Sequence, residues 1–205
     1  NDTGSVVVSG TVTQGEELSA SVSDADGISG VTITYQWKRG DTAIDGATSS
    51  SYTLTQADVG TAIKVTASYT DELNTAESRT SAATSSVVNV NDTGSVVVSG
   101  TVTQGEELSA SVSDADGTSG VTITYQWKRG DTAIDGATSS SYTLTQADVG
   151  TAIKVTASYT DELNTAESRT SAATGSVANV NDTGSVTGGG TVTQGQKLGG
   201  RVGDG

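Results

Sequence analysis

The chain repeats itself. Residues 1–90 and 91–180 align without a gap and differ at three positions: Ile28 against Thr118, Ser85 against Gly175, and Val88 against Ala178. Residues 181–205 begin the same unit again and stop inside its second predicted strand. A period of ninety residues is too long for leucine-rich or ankyrin solenoids. It is an ordinary size for one small domain. The expected layout is therefore one domain at 1–90, a second at 91–180 and the start of a truncated third at 181–205. The absence of Met marks the chain as an expected internal piece of something longer.

Each copy must build its own core from little material. The hydrophobic fraction is 33%, with no Phe, Met, Cys or Pro, which by composition alone approaches the disordered range. Pattern argues for a fold. Leu18, Ala20 and Val22 alternate with Ser. Val31, Ile33, Tyr35 and Trp37 share one face, and so do Ile63, Val65, Ala67 and Tyr69. Alternation of period two is the mark of a half-buried strand. Val6 to Val12 reads as the first strand and Ala76 to Val90 as the last. A short strand falls at Ala43-Ile44, another is marked by Tyr52 and Leu54, and turn residues punctuate the rest. About seven short alternating strands in one unit predict an antiparallel two-sheet sandwich. Trp37, facing inward on the third strand, and Asp58-Val59-Gly60 before the sixth sharpen this to an Ig-like sandwich. Val65 and a residue near Ala20 would fill the place of the missing inter-sheet disulfide. The expected fold class is all-β, with tandem Ig-like antiparallel β-sandwich domains arranged end to end.

Charge excludes several functions. Each unit carries eleven acids and four bases, and the whole chain has a formal net charge of −14. Nucleic acid is repelled by such a surface. No apolar run is long enough to insert into a membrane. Without His or Cys the commonest general base and the best nucleophile are missing, so no enzyme is expected. Lys64 alternates with Ile63 and Val65 and is expected outside the sandwich, away from isopeptide chemistry. Arg39-Gly40-Asp41 and Arg129-Gly130-Asp131 match an integrin-binding tripeptide but also make good turns, and the turn reading is preferred. The Asn1-Asp2-Thr3 glycosylation pattern and its copies are read as accidental. Tyr35, Trp37, Tyr52 and Tyr69 are all expected in the core, which leaves no evident sugar platform.

Trp37, Ile44-Asp45-Gly46-Ala47-Thr48, the run from Ser51 to Gly60, Val65 to Asp71 and the Val-x-Asn-Val-Asn-Asp linker together resemble the tandem Ig-like repeats of giant bacterial surface adhesins, the RTX-type biofilm adhesins and their relatives. The resemblance spans both units. It implies a protein secreted to the bacterial cell surface, in which these repeats are a stalk that carries a ligand-binding region away from the cell, often stiffened by calcium. The partners expected are the adjacent repeats of the same chain. The alternative is that each domain is itself a binding module for a host receptor, glycan or matrix.

The linker favours the stalk, because Val88-Asn89-Val90-Asn91-Asp92 is short and lacks a Gly/Ser run. In an Ig sandwich the second and sixth loops share the entry pole. The joint would then gather Asn91 and Asp92 with Asp114, Asp116 and Asp161, and Glu16, Glu17 and Asp58 from the other side. An extended Asp114-Ala115-Asp116 would point two carboxylates the same way, a crowding that a cation relieves. Calcium takes six to eight oxygens in irregular geometry, and is the expected structural ion. Asp2, Asp24, Asp26 and Asp71 form the equivalent set at the N-terminal end. The Gly-rich stub at 181–205 is expected to be poorly ordered.

Overall fold

A computed structural model describes residues 2–181, 184–188 and 200–203. The chain forms two compact units, Asn1–Thr93 and Gly94–Gly205. In the first, β1 (Ser5–Ser9), β2 (Glu17–Ser23) and β5 (Ser51–Thr53) form one antiparallel sheet in the order β1-β2-β5. The second sheet, in the order β4-β3-β6-β7, contains β3 (Thr34–Arg39), β4 (Thr42–Ala43), β6 (Ile63–Thr70) and β7 (Ala76–Thr80). This three-on-four arrangement of antiparallel strands is the Ig-like sandwich. The second unit repeats it strand for strand, with β8 (Ser95–Gly100) through β14 (Ala166–Thr170) in the same orders and registers. Beyond it β15 (Ser185–Gly188) pairs with β16 (Gly200–Gly203), and Ser185 faces Gly203 just as Ser5 faces Ser23. Residues 182–183, 189–199 and 204–205 of the stub, for which poor order is expected, lie outside the described residues.

The core follows the alternation. Along β6, Ile63, Val65, Ala67 and Tyr69 are buried and the residues between them face out. Leu18, Trp37 and Leu54 close the centre. Trp37 has no exposed surface, stacks on Tyr52 at 5.8 Å between ring centroids, and donates its indole N–H to Ser49 O at 2.9 Å. A buried indole needs such a partner. Leu18, rather than Ala20, joins Val65 in the fully buried part of the core, since Ala20 is only half-buried.

Two strands are shorter than the pattern suggests. β1 stops at Ser9 because Gly10 takes a positive φ of 126°, and a Cβ there would lie 2.6 Å from Glu17 O. The chain then crosses to the other sheet, where Thr13 bridges Val88 in parallel. The last strand breaks after Thr80. Ser81 and Thr84 each bond twice to β6: their N–H groups reach Val65 O and Ile63 O, and their hydroxyls accept from the N–H groups of the same two residues at 3.1 and 2.9 Å. Three steps on one strand span two on the other, so the ladder bulges there. β7 also turns Glu77 and Arg79 inward, paired at 2.6 Å, a device that protects a sheet edge from adding strands. Tyr35 and Tyr52 are half-buried rather than fully claimed by the core.

Candidate functional site

The acids divide between the two poles of each unit. At the pole formed by the β2–β3 and β6–β7 loops, Tyr69 donates its hydroxyl to Asp24 Oδ2 at 2.8 Å, and Tyr159 does the same to Asp114 at 2.7 Å. Burial raises both tyrosine pKa values, and the hydrogen bond to a carboxylate and its charge add to the shift; Tyr69 is pushed up to about 12. Asp26 N–H donates to Asp24 Oδ1 and Asp116 N–H to Asp114 Oδ1, both at 3.0 Å. Gly117 N–H bonds Asp114 O at 3.2 Å. Asp114 to Gly117 is therefore a tight turn, and the two carboxylates do not project in parallel from an extended strand as the sequence suggested. The aspartate side chain here competes with regular backbone pairing, the usual behaviour of Asp in turns.

Asp71 and Asp161 follow β6 and β13 (Ile153–Thr160) and are 4% exposed. Their carboxylates brace the hairpin: Asp71 Oδ1 accepts from Thr75 N–H at 2.7 Å, and Asp161 Oδ1 from the N–H groups of Leu163 and Thr165, each at 2.8 Å. Asp161 Oδ2 is buried and has no hydrogen-bond partner among the described residues. Glu162 lies against Gly117 and accepts from Ser119 N–H. In the first unit Asp2 N–H donates to Asp26 Oδ2 at 2.6 Å. The structure thus brings Asp2, Asp24 and Asp26 together by hydrogen bonds within the first unit. Within the second it places Asp114, Asp116 and Asp161 around one pole. Asn91 and Asp92 fall in the first unit, where Asp92 Oδ2 accepts from Gln14 Nε2 at 2.9 Å. Among the described residues no three carboxylates converge into a ready metal cage.

Asp58, expected at the opposite pole as a joint acid, is instead part of the interior. It closes the single 3-10 turn Gln56–Asp58 and has no exposed surface. Its Oδ1 takes Arg39 Nε at 2.8 Å and Nη2 at 2.7 Å, and its Oδ2 accepts from Tyr52 OH, Thr55 N–H and Thr55 Oγ1, each at 2.8 Å. Burial works to raise the pKa of Asp58, but the Thr55, Tyr52 and Arg39 hydrogen bonds outweigh it and hold the carboxyl below its ordinary value. Asp148 repeats the arrangement with Arg129, Tyr142 and Thr145. Sequence reading placed the Asp-x-Gly corner but missed Arg39, nineteen residues away, because nothing local links the two. The same pairing occupies the arginine of the Arg39-Gly40-Asp41 turn, and Asp41 pairs with Lys64 at 2.7 Å.

A shallow groove of about 320 Å³ runs along Asp45 to Thr53 beside Tyr52, and recurs at Asp135 to Thr143. Asp45 is the one acid in its lining, which gives no acid–base pair. Asn1, the acceptor of the glycosylation pattern, lies outside the described residues, as do Asp182 and Thr183. Among the described residues no helix is long and apolar enough to cross a membrane.

No protein-family model matches the chain, and no curated protein matches it. Solved structures similar to it include the three N-terminal domains of the Highly Immunogenic Outer Capsid protein of bacteriophage RB49, at 18% identity and TM-score 0.31, covering 99% of this chain and 69% of that one. Domains A168–A170 of titin match at 14% identity and TM-score 0.29, covering 84% and 61%. A Ca2+-stabilized adhesin with which an Antarctic bacterium binds ice matches at 15% identity and TM-score 0.31, covering 91% and 51%. At these scores the likenesses carry no argument about function, and the Ig-like assignment stands on the strand order described above.

Proposed function

We propose that the chain is a run of spacer repeats from the stalk of a bacterial cell-surface adhesin, acting outside the cell to hold a binding region at a distance. The observation that carries this reading is the near-verbatim copy of a whole folded unit, with the same registers and the same buried Arg–Asp pair in each. A second copy adds reach to a spacer, whereas an enzyme gains little from it. The units also join through a linker with no Gly/Ser run.

Calcium is the second part of the proposal. The chemistry fits: Asp114, Asp116 and Asp161 stand at one pole, and Asp161 Oδ2 is a buried carboxylate oxygen without a hydrogen-bond partner, which costs free energy that a cation would offset. Asn91 and Asp92 would complete the set from the linker, and Asp2, Asp24, Asp26 and Asp71 supply the corresponding oxygens of the first unit. Bound there, a hard divalent ion would neutralise crowded carboxylates and stiffen the joint. Modules outside cells bind calcium at roughly 10⁻⁴ to 10⁻³ M. Titration calorimetry on the whole chain should give binding in that range, weakened by Asp114→Ala/Asp116→Ala. Absence of millimolar or tighter binding, with melting temperature and scattering profile unchanged by chelator, would remove calcium. Retention of the chain on host cells, matrix or a glycan array would favour the binding-module reading over the spacer.

A further inference from the structure

Gln14 reads in the sequence as an ordinary polar turn residue before Gly15. In the structure its backbone N–H and both ends of its side-chain amide engage the segment that leaves the unit. Its backbone N–H donates to Val88 O at 2.9 Å, its Oε1 accepts from Val90 N–H at 3.1 Å, and its Nε2 donates to Asp92 Oδ2 at 2.9 Å. Val88 is held separately, by its N–H on Val12 O at 3.0 Å and by the parallel bridge to Thr13. The Gln14 side chain extends that hold four residues further along the chain. The second unit repeats the device: Gln104 N–H bonds Ala178 O at 2.9 Å and Val180 N–H reaches Gln104 Oε1 at 3.3 Å.

The residue type suits the task. A primary amide is a neutral group that accepts from a backbone N–H at one end and donates to a carboxylate at the other. A Glu here could accept from Val90 but not donate to Asp92 while ionised, and its charge would repel that carboxylate. The acceptor is charged, so the Nε2 bond belongs to the stronger kind.

We infer that Gln14, and Gln104 in the second copy, is a clasp that fixes the segment by which the chain leaves each unit. The direction of exit is thereby set by hydrogen bonds within the unit, whether or not calcium is bound. This goes beyond the calcium reading and does not depend on it. Part of the linker is thereby taken into the fold of the unit before it.

The test is hydrogen exchange on the whole chain in chelator, comparing wild type with Gln14→Ala and Gln14→Glu. Peptides covering Val90 and Val180 differ in mass, because Ser85 and Val88 are replaced by Gly175 and Ala178 in the second copy. Each molecule therefore carries its own unaltered reference. Gln14→Ala should raise exchange at Val90 roughly three- to tenfold at neutral pH, the effect of losing one ordinary hydrogen bond; Gln14→Glu, which keeps the acceptor for Val90 N–H but loses the donor to Asp92 and repels it, should raise it less. Val180 should not change, and the amides of Ile63 and Val65 should stay protected. Unchanged exchange at Val90 in both variants would overturn the clasp. Loss of protection across Ile63 and Val65 in both would also overturn it, since Gln14 would then serve the stability of the whole unit.

Discussion

Replacing Asp58 with Ala removes the acceptor for four hydrogen bonds and leaves Arg39 without its ion-pair partner. Breaking a fully buried ion pair costs about 3–5 kcal/mol. Arg39 keeps 33% of its side-chain surface exposed, so its freed charge regains water and the Coulomb part must be discounted. Thr55 is exposed and Tyr52 only half-buried, so their donors also find water. Those corrections bring the expected loss to about 2–3 kcal/mol. In a domain of this size each kcal/mol moves the melting point by about 4–8 °C, which puts the shift at roughly 10–20 °C. The chain supplies its own control, because Asp148 keeps the second unit intact. Calorimetry of Asp58→Ala should split the melt into two transitions, one at the wild-type temperature and one well below it. The lower transition belongs to the first unit, which alone carries the substitution, and Asp148→Ala should move the other one in turn. A shift below about 2 °C would refute the reasoning, for it would mean that the desolvation of Asp58 cancels nearly all of what its partners return.

The other expectations follow from the same contacts. Asp58 and Asp148 have folded pKa values below 3.8; their stabilisation is present above the unfolded value and is lost as pH falls through the folded one. Acid melting curves should show a loss below about pH 4 that Asp58→Asn/Asp148→Asn flattens. Tyr69 has a folded pKa raised to about 12 against an ordinary 10.0, so its contribution is complete below pH 10 and is lost as pH rises toward 12. Alkaline unfolding followed by tyrosinate absorbance should start later in the folded protein than free tyrosine ionisation does. Gly94→Ala drives a Cβ into the Tyr159 hydroxyl and to 2.7 Å from Asp114 Oδ2; it should destabilise the second unit by about 1–3 kcal/mol in urea melts. An unchanged melt would mean that Tyr159 moves aside without loss.

The parts of this fold written in the sequence are those governed by alternation. β2 and β6 show their buried faces directly, because a strand with one face in water must alternate, and Trp37 announces the third strand. The breaks were not legible. β1 ends where Gly10 passes over Leu18, and the last strand bulges where Ser81 and Thr84 use hydroxyls in the ladder. Both are decided by close approach between neighbouring strands, which the hydrophobic pattern does not encode. The same limit applied to the acids. Asp24, Asp114 and their neighbours could be read as a loop cluster, but not their bonds to Tyr69 and Tyr159, forty-five residues on. The Asp-x-Gly corner at Asp58 is legible in the sequence, but its burial and its pairing with Arg39 are not. Gln14 carried no signal of its own, since an amide in a turn looks the same whether it faces water or grips a neighbouring strand.

The identity of the two registers has a consequence for assembly of the fold. Trp37 faces Val65 and Trp127 faces Val155 in matching positions of matching strands. To a partly unfolded chain, β6 of the first unit and β13 of the second present the same face to either third strand. An exchanged pairing would make the same local contacts as the correct one, so side-chain chemistry cannot reject it. Discrimination must come from chain connectivity. A strand of the same unit lies fewer residues away, and its loop closes at lower entropic cost. That advantage grows only slowly with separation, so nearly identical neighbours are prone to swapped, mutually tangled states on refolding. Folding one unit before the next is complete, as happens during synthesis or stepwise export, removes the competitor altogether.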